Sequence, residues 1–107
     1  MPNRPTRHIY VIRLSKLVLG KVRFVKANPN YDGRKQCLYV GLTGREPAVR
    51  FAQHKAGYKA CSYAKKFGID LLPSLGVRTR KSHAKALRIE RELADRLRAE
   101  GYAVWQR

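Results

Sequence analysis

Between Tyr39 and His54 the chain reads Tyr-Val-Gly-Leu-Thr-Gly-Arg-Glu-Pro-Ala-Val-Arg-Phe-Ala-Gln-His. One short unit thus carries a phenol, a guanidinium and an imidazole, a set suited to phosphate chemistry. Arg50 and His54 are four residues apart, so a helix puts them on one face. A second piece of chemistry lies near the C-terminus, where Ala86, Leu87, Leu93, Ala94 and Leu97 form an apolar helical stripe with Glu90 in its middle. A carboxylate there is costly unless a cation meets it. That cation is either an Arg across the core edge or a metal ion, and spacing alone does not choose. Glu92 differs: Arg88 and Arg96 stand four residues either side, which describes a solvated ion-pair face.

These side chains need elements to hold them. His8–Leu14 alternates, with Tyr10, Ile12 and Leu14 on one side, and reads as a strand. Cys37–Leu42 is an apolar run expected as a second strand, antiparallel to the first. Gly41–Arg45 is a turn. Pro47 suits a first helical position, where its missing N–H costs nothing, so a helix is expected over Pro47–Lys55, ending near Gly57. Tyr58–Phe67 is expected as a further helix, ended by Gly68. Ile69–Leu72 reads as a short third strand. Ser74–Ser82 reads as a basic loop, and His83–Glu100 as the last helix, capped by Ser82 and stopped by Gly101. Val22–Val25 is expected as a short strand before an Asn28–Gly33 turn cluster. Tyr102–Trp105 is an apolar tail that can lie on the core, and Met1–Arg7 reads as a loose basic arm.

At 107 residues the chain is expected to be one domain, spanning 1–107. Its 24 Lys+Arg against 7 Asp+Glu give a net charge of +17. Such a charge repels itself unless a polyanion offsets it, so nucleic acid is the expected partner. Lys55, Lys59, Lys65 and Lys66 are candidate phosphate-backbone contacts, and Tyr58 and Tyr63 can stack on bases or pack between helices. Cys37 and Cys61 make neither a disulfide framework nor a metal-ligand pair. No apolar run reaches the ~18 residues of a membrane span, so no membrane partner is expected.

With these residues assembled, the sequence resembles the GIY-YIG nuclease family, which includes the incision domain of bacterial excision-repair nucleases, homing endonucleases and small stand-alone bacterial proteins. His8-Ile9-Tyr10 is similar to the family's first motif, with His in place of Gly, and Tyr39-Val40-Gly41 to the second. Thr43, Arg50 and His54 match the helix signature that follows. Ala86-Leu87-Arg88-Ile89-Glu90 is similar to the segment bearing the family's metal-binding glutamate. The turn between Tyr39 and Arg50 is one residue longer than in typical members, and the C-terminal Asn of many members is absent.

The resemblance implies an α+β fold, a small three-stranded antiparallel β-sheet flanked by helices. It implies hydrolysis of phosphodiester bonds in DNA, more than RNA, with Mg2+ or Mn2+, structure-selective or weakly sequence-specific. Glu90 would be the metal's protein ligand and Arg50 the phosphate grip. Tyr10 and Tyr39 would place the water, one of them accepting its proton, and His54 would relay that proton. A phenol with pKa near ~10 is a poor base at neutral pH, so a role as base requires that value to fall. Taken singly, Tyr10 and Tyr39 fit core-edge packing better than catalysis. The alternative function is a non-catalytic nucleic-acid-binding module on the same fold. A bacterial cytoplasmic, nucleoid-associated monomer or weak homodimer is expected.

Overall fold

The computed structural model describes residues 5–106. The expected basic arm falls largely on 1–4, outside that range. Arg7 already belongs to the first strand, β1 (Arg7–Leu14).

β1 is the middle of a five-stranded sheet. It pairs antiparallel with β2 (Cys37–Thr43), with Tyr10 opposite Gly41 and Ile12 opposite Tyr39. On its other edge it pairs antiparallel with β3 (Gly68–Leu71) and, nearer its start, with β4 (Val77–Thr79). β5 (Ala103–Gln106) runs parallel to β2. The three expected antiparallel strands therefore stand, and two are added. β4 is three residues long and centred on Arg78, too short to show an alternation. β5 is the expected apolar tail. It can pair parallel because the long helix α4 (His83–Ala99) carries the chain back across the sheet.

Both sheet faces are covered, which is why β1 and β2 read as near-continuous apolar runs. Tyr10, Ile12, Leu14, Cys37 and Tyr39 pack with Phe24, Ala64 and Phe67 on one face. Ile9, Val11, Leu38, Val40 and Val104 pack against Leu93, Ala94 and Leu97 of α4 on the other. Leu87, expected within the α4 stripe, is 43% exposed. Ser82 caps α4 as expected, its hydroxyl accepting from the Lys85 N–H.

Two expectations are corrected. Val22–Lys26 forms a helix, α1, where a strand was expected. Its two valines favour β structure by propensity, but only Phe24 is buried. Phe24 and Asn28, four apart, share the inward face, and the Asn28 amide donates to the Phe24 carbonyl at 2.8 Å. Tertiary anchoring decides here, as it commonly does over propensity. The helix expected over Tyr58–Phe67 begins only at Ser62: α3 is Ser62–Phe67. Residues 58–61 are drawn away from helix by side chains of α2 (Pro47–Ala56), as follows.

Candidate active site

α2 starts at Pro47 and ends at Gly57, whose φ of 87° makes the left-handed exit that glycine permits. It delivers Arg50 and His54 toward the β1–β2 face. His54 is fully buried. Its Nε2 lies 2.7 Å from the Tyr10 hydroxyl, and its Nδ1 accepts the Cys61 backbone N–H at 3.2 Å. A backbone N–H can only donate, so Nδ1 carries the lone pair and the neutral ring is protonated at Nε2. His54 therefore donates to Tyr10. The proton relay expected from sequence needs a free Nε2 lone pair, which this tautomer does not offer.

The Arg50 guanidinium donates to the carbonyls of Tyr58 (3.0 Å) and Lys59 (2.8 Å) and to Gln53 Oε1 (3.3 Å). Lys59 takes a left-handed φ of 43° in this loop. The 58–61 segment thus gives its carbonyls to Arg50 and an N–H to His54, groups that an earlier start of α3 would have used. Three of the five guanidinium donors are engaged on these acceptors, and the guanidinium also hydrogen-bonds the Tyr10 hydroxyl.

Strand parity sets the tyrosines. Tyr10 and Tyr39 emerge on the same sheet face, with ring centroids 6.1 Å apart, and the Tyr39 ring stands edge-on to His54 at 5.3 Å. Both are deep in the core as well as at this cluster, so the packing and chemical readings are not exclusive. The Tyr10 ring lies over the bare backbone of Gly41, where a Cβ would stand 2.5 Å from the hydroxyl. Burial pushes the Tyr10 phenol above its ordinary value of 10.0. Arg50 and the Tyr39 hydroxyl pull the other way, and the charge of Glu90 adds to the rise. Burial wins, so the fall in phenol pKa expected near Arg50 does not occur in the protein alone.

Tyr39, Arg50, His54, Lys59 and Cys61 line one cleft of about 370 Å³. Glu90 reaches the region from α4, on the opposite sheet face. It lines a separate cleft of about 240 Å³ with Arg7, Thr43 and His83. Thr43, at the end of β2, also lines a third cleft with Arg50 and Lys59, and so stands between the Glu90 side and the Arg50 side. Glu90 is only 2% exposed and accepts from Gln106 Nε2 at 3.0 Å. Glu92 faces solvent, and Arg96 pairs with Glu100 at 3.7 Å rather than with Glu92.

Among the basic candidates, Lys59, Lys65 and Lys66 are exposed. Lys55 is otherwise engaged: its ammonium donates to the carbonyls of Lys65 and Gly68, both at 2.9 Å, closing the end of α3. Tyr58 is 54% exposed. Tyr63, half-buried, packs edge-on against Trp105 at 4.9 Å and Phe24 at 5.9 Å, at the edge of the core.

Sequence reasoning placed Gly41 in a motif and a turn without seeing that Tyr10 lies over it, and gave Gln53 and Gln106 no role. Gln53 had a signal, since it stands one turn from Arg50. Gln106 had none: it meets Glu90 only because β5 sets it beside Val40, on the α4 face.

No helix among the described residues is long and apolar enough to cross a membrane. No curated protein and no solved structure matches the chain. The model of the GIY-YIG catalytic domain matches residues 8–103. That span runs from the strand of Tyr10 through Arg50, His54 and Glu90 into β5, and the chain therefore belongs to the GIY-YIG family of nucleases.

Proposed function

We propose that this chain is a metal-dependent endonuclease that hydrolyses phosphodiester bonds in DNA, selecting structure or, weakly, sequence. The observation that carries the reading is the surroundings of the Tyr10 oxygen. It lies 2.7 Å from His54 Nε2, beside Tyr39 and Arg50, and within the field of Glu90.

Hydrolysis requires a water to lose a proton as it attacks phosphorus, and requires the charge building on the phosphate oxygens to be met. Tyr10 is the group to accept that proton, with His54 as hydrogen-bond donor holding the phenol and stabilising the phenolate. Tyr39 supports the same oxygen from the neighbouring strand. Arg50 meets the phosphate with the donors left over by Gln53 and the loop carbonyls, which fix the direction of its planar fork. Burial keeps Tyr10 protonated at neutral pH in the protein alone, so it would first give its own proton to solvent as the complex assembles, and the phenolate, held by the His54 Nε2–H, would then take the proton of the attacking water.

Glu90 would hold a single Mg2+ or Mn2+. The donor set fits: Glu90 is one buried carboxylate, and among the described residues no three His, Cys, Asp or Glu side chains gather into a site. Mg2+ retains several waters and takes phosphate oxygens, so few protein ligands suffice. When bound, the ion supplies positive charge to the phosphate and lowers the proton affinity of nearby oxygens. Exposed Lys59, Lys65 and Lys66 support backbone contact, which sets affinity without base choice.

Incubation with labelled single-stranded, duplex and branched oligonucleotides tests this. Products are expected with Mg2+ or Mn2+ and none with chelator. Arg50→Ala is expected to slow cleavage by roughly 10²–10³, while the salt slope of binding falls by only about one unit. Binding to all substrates with cleavage of none would leave a nucleic-acid-binding module instead.

A further inference from the structure

The outer edge of β1 is interrupted. β3 pairs with Ile12–Leu14 and β4 with Arg7–Ile9. Between them, among the described residues, Tyr10 and Val11 face the connection 72–76 rather than a strand, with the Leu72 N–H donating to the Val11 carbonyl at 2.9 Å. A cavity of about 170 Å³ occupies this gap. Leu71, Leu72 and Val77 give it apolar walls, and His8 and Arg78 are its polar members. Tyr10 and Pro47 also line it, so it borders the stretch of β1 that carries Tyr10 and the start of the helix that carries Arg50.

Its size and chemistry narrow the occupant. An apolar cavity of about 150 Å³ holds one benzene ring. This one, at about 170 Å³, has room for a single six-membered aromatic ring. Its imidazole and guanidinium can meet the polar edge of such a ring, as pockets with few polar groups orient their ligands. The exposed run Arg78, Arg80 and Lys81 follows directly, in a chain whose charge of +17 calls for a polyanion. A ring attached to a phosphate backbone satisfies both features. We infer that the gap between β3 and β4 receives one unpaired nucleobase, of pyrimidine size, next to the phosphate held at Arg50 and Tyr10. This rests on the nuclease reading above for the position of that phosphate. Removing a base from a duplex stack costs its stacking and pairing, so strands with an unpaired base beside the cut are the preferred substrates.

The test has a binding arm and a cleavage arm. In chelator, affinity is measured for oligothymidylate and for a fully abasic oligonucleotide of equal length and charge. Oligothymidylate is expected to bind at least tenfold tighter, and Val77→Phe, which fills the cavity, is expected to erase most of that difference. Methyl resonances of Leu71, Leu72 and Val77 in the unmodified protein are expected to shift with oligothymidylate and not with its abasic counterpart. This reads the cavity even if Val77→Phe folds poorly. With Mg2+, one abasic site is moved along a cleavable strand, and a single position beside the cut is expected to slow cleavage about tenfold. Unchanged methyl resonances and a flat abasic scan would overturn the base pocket while leaving cleavage intact, and would favour an aromatic side chain of a protein partner as occupant. Absence of all cleavage, with the methyl shifts present, would overturn the nuclease reading and leave the base pocket standing.

Discussion

Tyr10 reaches His54 because residue 41 has no side chain. With Gly41 replaced by Ala, the new methyl would stand 2.5 Å from the phenolic oxygen, and the ring must move. Gly41→Ala is expected to keep the fold and nucleic-acid affinity and to lower the cleavage rate by at least tenfold. Side-by-side measurement of single-turnover cleavage, binding and melting checks this, and full activity would show that the hydroxyl position is not critical. At this scale the sequence was informative where spacing sets geometry. Arg50 and His54 share a face because they are four apart, and Glu90 is buried because of the stripe around it. It was silent where a backbone group decides. Nothing in Cys61 announces that its N–H fixes the His54 tautomer, and nothing in Lys55 shows its ammonium closing the end of α3.

Elements with long, regular patterns were legible: β1, β2, α2 and α4 all lie where alternation, Pro47, Gly57 and Ser82 put them. The short ones were not, because a partner far along the chain makes them. Asn28 is the clearest case. It sits in what reads as a turn cluster, yet it is buried, and its side-chain oxygen accepts from the Val104 N–H at 2.7 Å while its amide donates to the carbonyls of Phe24 and Val104. Arg98 Nε also donates to it, so one side chain ties α1, α4 and β5 together. Asn28→Ala would take the partner from the Val104 N–H and the Phe24 carbonyl, while the Val104 carbonyl keeps Arg98 Nη2 at 3.0 Å, at about 1–3 kcal/mol for each group that water cannot reach. A loss of roughly 2–4 kcal/mol is expected in urea unfolding. A change under half that would mean that water takes over the bonds.

For the molecule as a whole, the charge of +17 was readable from composition, and with it the polyanionic partner class. Its response to alkali was not, since that depends on burial. Burial raises the Cys37 thiol above its ordinary value of 9.0 and, with Cys37 and Asp32 nearby, the Tyr31 phenol from 10.0 to about 12. In each case folding favours the neutral form. That stability is complete below the ordinary value and is lost as pH climbs through the raised one. Neutralisation of lysines relieves self-repulsion over part of the same range, so the comparison is best made between the parent chain and Tyr31→Phe. Above about pH 10 the melting temperature of the parent is expected to fall relative to the variant. Parallel profiles to pH 11.5 would contradict the burial argument.

The central claim, that a single buried carboxylate on α4 serves metal-dependent phosphodiester cleavage, is tested most directly by exchanging it for its amide. Glu90 and Glu92 lie two residues apart, roughly 200° around the helix, one buried and one in solvent. Glu90→Gln keeps the size and removes the charge. It is expected to abolish cleavage with Mg2+ or Mn2+ while binding stays intact or tightens, because a negative charge leaves the site. Glu92→Gln is expected to cut like the parent. Retained cleavage in Glu90→Gln, or its loss in Glu92→Gln alone, would contradict the assignment of the metal to Glu90.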